Sequence, residues 1–260
     1  MTASTSSHSK LFPLVLASWA VALSLAFGMI GAQASAMDQA TATHPAIPDT
    51  IQQRARACTS CHGVHGEGAL DSADGPRLAG KPAGYLLQQL RYFQNGQRKN
   101  TAMGYVLRQL DLPYMRELAD YFASQQVPYP RPPLPTASAA LMRRGEQLAL
   151  HGDPSRGVPA CTRCHGRTLT GVEPMIPGLA GLSEDYLSAQ LVSWRTNTRA
   201  AKEPFCMGIV ANRMLGTDVT AVAAWLASRH LPTDMHPQSA STQTRPLPGW
   251  CVMGDNGEQP

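Results

Sequence analysis

The chain has 260 residues, 43% of them hydrophobic and 15% charged, with a formal net charge of +4. That balance excludes a disordered chain, and the length allows one large or two small domains. The lysines and arginines form no basic run and do not interleave with aromatic residues, which excludes nucleic acid as a partner.

In chain order, His8 and Lys10 give a weakly positive start, and Leu11 to Ile30 is apolar and uncharged. Ala34-Ser35-Ala36 then supplies a small-x-small cleavage pattern, so residues 1–36 read as a secretory signal peptide cleaved after Ala36. The alternative is an uncleaved anchor, because about 20 apolar residues span a bilayer. Pro13 and the cleavage pattern favour removal, leaving a mature chain that starts near Met37 in an oxidising compartment.

The chemistry concentrates in Cys58-Thr59-Ser60-Cys61-His62, which returns as Cys161-Thr162-Arg163-Cys164-His165, each copy followed by a glycine. C-x-x-C-H is the attachment sequence of c-type haem. On a helical turn, cysteines at i and i+3 share a face and reach both vinyl groups of one porphyrin. The histidine then lies beneath the iron as proximal ligand. A structural zinc site needs four ligands in a different spacing, and a thioredoxin-like pair needs no histidine. Two covalently attached haem c groups are therefore expected, on Cys58 and Cys61 and on Cys161 and Cys164, with His62 and His165 as iron ligands.

The two motifs belong to a longer repeat. Pro76-Arg77-Leu78-Ala79-Gly80 matches Pro177-Gly178-Leu179-Ala180-Gly181, and Tyr85, Gln89, Phe93 and Arg98 match Tyr186, Gln190, Trp194 and Arg199. Met103-Gly104 matches Met207-Gly208, and Tyr121 matches Trp225. In the first copy, helices are expected over Thr50 to Ala57, Pro82 to Gln94 and Leu112 to Ser124, from the spacing of the apolar residues and from Pro113 in a first turn. In the second copy they are expected over Ala139 to His151, Ser183 to Arg195 and Asp218 to Arg229. Gly63 to Gly80 reads as loop. Val127 to Pro135, with five prolines, reads as a stiff strap. The expected domains are residues 37–126 and 139–232, joined by a linker over 127–138 and followed by a tail over 233–260, where Trp250-Cys251 suggests docking.

A second axial ligand completes each iron. In the first copy Met115 lies on an apolar helical stripe, so Met103, in a glycine-flanked loop, is the expected ligand. In the second copy the repeat selects Met207 over Met175, Met214 and Met253, and Met214 reads as core. Methionine raises the potential of a haem. A proximal histidine needs its other ring nitrogen held, and the carbonyls of Pro76 and Pro177 are the expected acceptors.

With these motifs in place, the chain resembles the cytochrome c4 family over about residues 48 to 230. The resemblance implies an all-α fold of two tandem cytochrome c-type haem domains related by a pseudo-twofold axis. It also implies that Cys58, Cys61, Cys161 and Cys164 bind haem, that His62 and His165 are proximal ligands, and that Met103 and Met207 are distal ligands. Electron transfer in the periplasm is the implied role. Two features depart from the family. Ile51 stands where a glycine is usual at the crossing of the first and last helices, whereas the second copy keeps Gly145. Cys206 and Cys251 are also left over, either as a disulfide pinning the tail over the second methionine loop or with Cys206 as a thiolate ligand, as in thiosulfate dehydrogenases.

The expected function is thus a periplasmic carrier of single electrons, not an enzyme. Its donor would be a quinol–cytochrome c reductase or a dehydrogenase and its acceptor a terminal oxidase, with peripheral membrane association left open. Two alternatives stand beside it: a thiosulfate-dehydrogenase-like enzyme using Cys206, and a cytochrome subunit of a periplasmic dehydrogenase that docks through the tail.

Overall fold

Thr50 is extended, and its hydroxyl accepts from the Gln53 N–H, which starts helix α1 at Ile51. α1, Ile51–His62, runs through the whole first motif and stops at Gly63, whose φ of +86° is closed to ordinary side chains. The sequence expectation ended this helix at Ala57; the motif extends it because nothing before Gly63 breaks it. The structure is a computed structural model in which residues 49–69, 74–134, 136–199, 206–243 and 246–251 are described. All of these lie in one compact unit, Ile47–Pro260. The signal segment, its cleavage site, Met253 and the end of the tail fall outside the described residues.

The first copy continues with α2 (Ala83–Gln94), α3 (Thr101–Leu107) and α4 (Leu112–Ser124). The second contains α5 (Ala139–Leu150), α6 (Thr162–His165), α7 (Glu184–Arg195), α8 (Cys206–Arg213) and α9 (Gly216–Ser228). Asp111, Ser138 and Ser183 each accept a backbone N–H three residues on, which starts α4, α5 and α7. Strands β1 (Gly171–Val172) and β2 (Ile176–Pro177) pair antiparallel, with Gly171 opposite Pro177. Among the described residues no helix is long and apolar enough to cross a membrane.

Each copy has its own hydrophobic core. Ala55, Leu86, Met115, Leu118 and Phe122 build the first, and Leu148, Leu187, Met214, Val222 and Leu226 the second. Burying such a side chain stabilises by roughly 1.5–3 kcal/mol. In the second copy α5 crosses α9 so closely that a Cβ on Gly145 would lie 2.1 Å from the Ala221 carbonyl oxygen. In the first copy α1 still packs on α4 without a glycine; Ile51 is half-buried against the core and Ala55 fully buried in it. The absent glycine therefore does not prevent that crossing.

The copies differ before the second motif. α5 ends at Leu150, and a loop with a 3-10 turn at Pro154–Arg156 precedes α6. An ion-pair network pins this loop. Arg144 bridges Asp153 at 2.7 Å and Asp218 at 2.8 Å, and Arg156 also bonds Asp218. Asp218 caps α9 as well, accepting the Leu215 N–H at 2.8 Å. Burial alone would raise its carboxyl, but hydrogen bonds from Arg144, Leu215 and Arg156 hold it below the usual carboxylate range.

The copies meet through residues that recur in both. Arg98 donates to Gln89 of its own half at 3.0 Å, and to Tyr186 (3.0 Å) and Gln190 (2.7 Å) of the other. Arg199 donates to its own Gln190 at 2.8 Å, and to Tyr85 (3.2 Å) and Gln89 (2.9 Å) across the seam. The guanidinium groups also stack on Phe93 and Trp194, at 4.4 and 4.1 Å from the ring centroids. An antiparallel bridge joins Arg98 to Arg199. The reciprocal pattern is the signature of a pseudo-twofold relation. The described part of the strap between the copies is extended. The first-copy residue Arg77 bonds the Val127 and Pro128 carbonyls and lies 3.6 Å from the Tyr129 ring centroid. That ring in turn packs on Gly181 of the second copy.

Candidate haem sites

Both motifs present the same imidazole arrangement. His62 and His165 are buried, 6% and 7% exposed, and each Nδ1 lies 2.8 Å from a carbonyl oxygen, Pro76 for His62 and Pro177 for His165. A carbonyl only accepts, so Nδ1 carries the proton and Nε2 keeps a lone pair, which is the form a metal ligand needs. Burial lowers both imidazole pKa values, opposed by the bonds to Pro76 and Pro177 and reinforced by Arg98 at His62 and Lys81 at His165. Both rings are thereby held neutral. The prolines were expected acceptors in the sequence, and the structure shows both bonds.

The carbonyls are positioned by a latch that the two copies build alike. In the first, the Leu78 and Ala79 N–H groups both donate to the Gly66 carbonyl; in the second, Leu179 and Ala180 donate to that of Leu169. Gly66 takes a φ of +79°, and Leu169, fully buried, takes +63° at the equivalent place. A non-glycine residue there costs on the order of 1–2 kcal/mol, which the double acceptor and the core contacts of Leu169 offset.

Cys58, Cys161 and Cys164 are half-buried and Cys61 is exposed. Burial pushes the Cys58 thiol up to about 11. Burial, and then the neighbouring Cys164, push Cys161 up to about 12. Burial favours the neutral form of these thiols, which packs against an apolar group without a charge to desolvate. Among the described residues no three His, Cys, Asp or Glu side chains converge as a metal site.

The methionines correct one expectation. Met103 is in the first turn of α3 and Met207 in that of α8, not in loops. Asn100 caps α3 by accepting the Met103 N–H at 2.9 Å, and the Gln94 amide ties the far end by donating to the Leu107 and Leu110 carbonyls. Both methionines are half-buried. In the second copy a largely apolar cavity brings together Cys161, Cys164, His165 and Met207, and Met214 lines it as well. Met115 and Met214 are core residues, 2% and 6% exposed. Met175 sits at the tip of the β1–β2 hairpin against Gly84 of the first copy. The donor set fits a covalently held haem: paired cysteines, an imidazole with its second nitrogen tied, and, in the second copy, an apolar wall.

Cys206 and Cys251 form a disulfide with Cα atoms 5.0 Å apart. Cys206 therefore offers no thiolate, which removes the reading of Cys206 as an iron ligand and enzyme centre. The bond holds the tail beside Met207. Gln243 donates to the Cys164 carbonyl at 2.9 Å, Arg163 donates to Pro246 at 3.2 Å, and Trp250 stacks on Arg213. The tail thus straps the second motif. The sequence reading also passed over Lys81. Buried and 6% exposed, it reaches from the first copy into the second copy's cavity. The seam residues Gln89, Gln190, Arg98 and Arg199 carried a signal: they are polar side chains repeated in both copies.

The profile of the cytochrome c family matches residues 51–126. The thiosulfate dehydrogenase electron acceptor of Thiomonas intermedia (strain K12) is 40% identical over 187 residues, spanning 72% of this chain and 85% of that protein. Cytochrome c4 of Stutzerimonas stutzeri is 31% identical, spanning 69% and 87%. Among solved structures, reduced recombinant cytochrome c4 from Pseudomonas stutzeri superposes with a TM-score of 0.56 at 28% identity, covering 69% of this chain and 97% of that one. The thiosulfate dehydrogenase TsdBA from Marichromatium purpuratum gives a TM-score of 0.60 at 34% identity over 67% of this chain, but the match spans only 36% of that longer chain.

Proposed function

Since the chain belongs to the cytochrome c4 family of dihaem electron carriers, we propose that it works in the periplasm as the electron acceptor of a thiosulfate-oxidising dehydrogenase and hands the electrons on to a respiratory acceptor. The observation that carries the carrier reading is the duplicated His–Pro latch, which prepares two neutral imidazoles in one chain. The similarity to the acceptor proteins of T. intermedia and S. stutzeri (strain A1501), at 40% and 38% identity, supports the choice of donor. The acceptor named in the sequence reading, a terminal oxidase, remains the outlet of this scheme.

The two haems supply a one-electron ferrous–ferric couple at each site. The residues of the chain do the rest. Cys58 with Cys61 and Cys161 with Cys164 would anchor the two groups, and His62 with Met103 and His165 with Met207 would be the iron ligands. Methionine ligation favours the ferrous state and leaves no position for a substrate. The largely apolar wall of the second copy's cavity offers few polar groups to reorganise around the change of charge. The enzyme alternative has lost its Cys206 thiolate to the disulfide.

The test mixes oxidised holoprotein with a purified thiosulfate dehydrogenase and thiosulfate while visible spectra are recorded. Both haems should become ferrous only when dehydrogenase and thiosulfate are present together. If ascorbate reduces both haems but this mixture leaves them oxidised, the proposed donor is wrong. Fewer than two haems per chain, or a high-spin site at rest, overturns the carrier reading itself.

A further inference from the structure

Lys81 breaks the symmetry of the seam by crossing from one copy into the other's cavity. It follows Gly80 in the first copy, and the residue following the matching Gly181 is Leu182. The side chain crosses into the second copy, where Nζ donates to the Gly178 carbonyl at 3.0 Å. Gly178 adjoins Pro177, whose carbonyl takes the His165 Nδ1–H. Lys81 shares its cavity with Cys161, His165 and Met207. Among the described residues no carboxylate lies within ion-pair distance of it. Arg98 and Arg199 occupy equivalent places in the two halves, and Arg77, which also lacks a counterpart, is held by the Val127 and Pro128 carbonyls and the Tyr129 ring. Lys81 adds a cation on one side only.

A buried ammonium is expensive to hold, and burial pulls this one down to about 8. At neutral pH the group is still mainly charged. In a poorly polarisable cavity its field is weakly screened, and it bears on the second imidazole. A nearby positive charge disfavours the ferric state, which carries one more positive charge than the ferrous.

Resting on the dihaem reading above, we propose that Lys81, contributed by the first copy, is a positioning residue that raises the reduction potential of the second copy's haem. Electrons entering the molecule are thereby drawn toward the half strapped by the tail. The charge acts across the seam, so the effect exists only when both copies are docked.

The experiment is a spectroelectrochemical titration of the full holoprotein with Lys81→Met and Lys81→Arg variants. The second haem's wave is identified as the one displaced in Met207→His. Lys81→Met keeps the bulk of the side chain and removes the charge, so the second midpoint should fall while the first stays in place. Lys81→Arg keeps the charge and should leave the second midpoint close to the parent's. A Lys81→Met protein that titrates like the parent overturns the proposal, as does a Lys81→Arg protein shifted as far as Lys81→Met. Haem is counted on the same samples. A count below two overturns the dihaem reading along with this one, whereas two haems and an unmoved midpoint overturn the role of Lys81 alone.

Discussion

Gly145→Ala tests the helix crossing that holds the second copy together. The added Cβ would start 2.1 Å from the Ala221 carbonyl oxygen and 2.7 Å from the Trp225 Cβ, where ordinary contact begins at 3.4 Å. α5 and α9 must therefore separate by more than an ångström. The nearest atom is helix backbone and cannot swing aside. Overpacking a tight core costs about 1–3 kcal/mol, and a rigid carbonyl places this case at the upper end. Alanine returns about 1 kcal/mol of helix propensity, which leaves a net loss of roughly 2 kcal/mol. Urea unfolding of the holoprotein followed by circular dichroism should show the midpoint falling by roughly 1 M for an m-value of about 2 kcal/mol/M. Gly216→Ala is the control. It sits in the first turn of α9 with nothing within 4 Å of the new Cβ, so it should stabilise by a few tenths of a kcal/mol. If Gly145→Ala unfolds at the parent's midpoint or later, the crossing is looser than described and the reasoning fails.

Replacing Cys206 and Cys251 together by serine opens a loop with a sequence separation of 45, for which chain entropy gives a loss of up to about 4 kcal/mol; equal unfolding curves would show that the bond constrains nothing. Asp218→Asn removes the buried charge that Arg144 and Arg156 share, although both arginines keep Asp153, and should destabilise by roughly 2–3 kcal/mol at neutral pH in denaturant titrations. Asp153 and Asp218 are both held below the usual carboxylate range, so their contribution is present above pH ~4 and is lost as the medium becomes more acidic. The stability of Asp218→Asn should accordingly vary less with pH below ~4 than the parent's, and parallel profiles would refute the linkage. Met103→Ala and Met207→Ala should each open one iron to carbon monoxide and lower that site's potential; spectra unchanged by carbon monoxide would mean that another side chain is the distal ligand.

Much of this was legible because the chain repeats itself. Met115 could be assigned to a core from helical spacing and Met214 from its place in the repeat, and the prolines that hold His62 and His165 followed from the recurring Leu-Ala-Gly turns. Helices α2, α4, α5, α7 and α9 came within a few residues of their expected bounds, since their apolar stripes are long enough to carry a period. α3 and α8 did not. Gly104 and Gly208 read locally as loop, and although Asn100 caps α3 from beside it, the far end is fastened by a distant group, the Gln94 amide. Leu169 gave no warning of its left-handed backbone, because branched apolar residues rarely adopt it. Lys81 reads as a surface lysine on any local criterion. Its burial follows from the docking of two copies, which no window of sequence contains.

The paired arginines have a consequence for any attempt to divide the molecule. Each guanidinium is shared, so excising one half would leave the other with a phenol and an amide facing an empty berth, and with an arginine short of two of its acceptors. Either half expressed alone should therefore be a poorer protein than half of the whole. The duplication has become an obligate partnership, in which drift at Arg98 is felt first by Tyr186 and Gln190 on the opposite side.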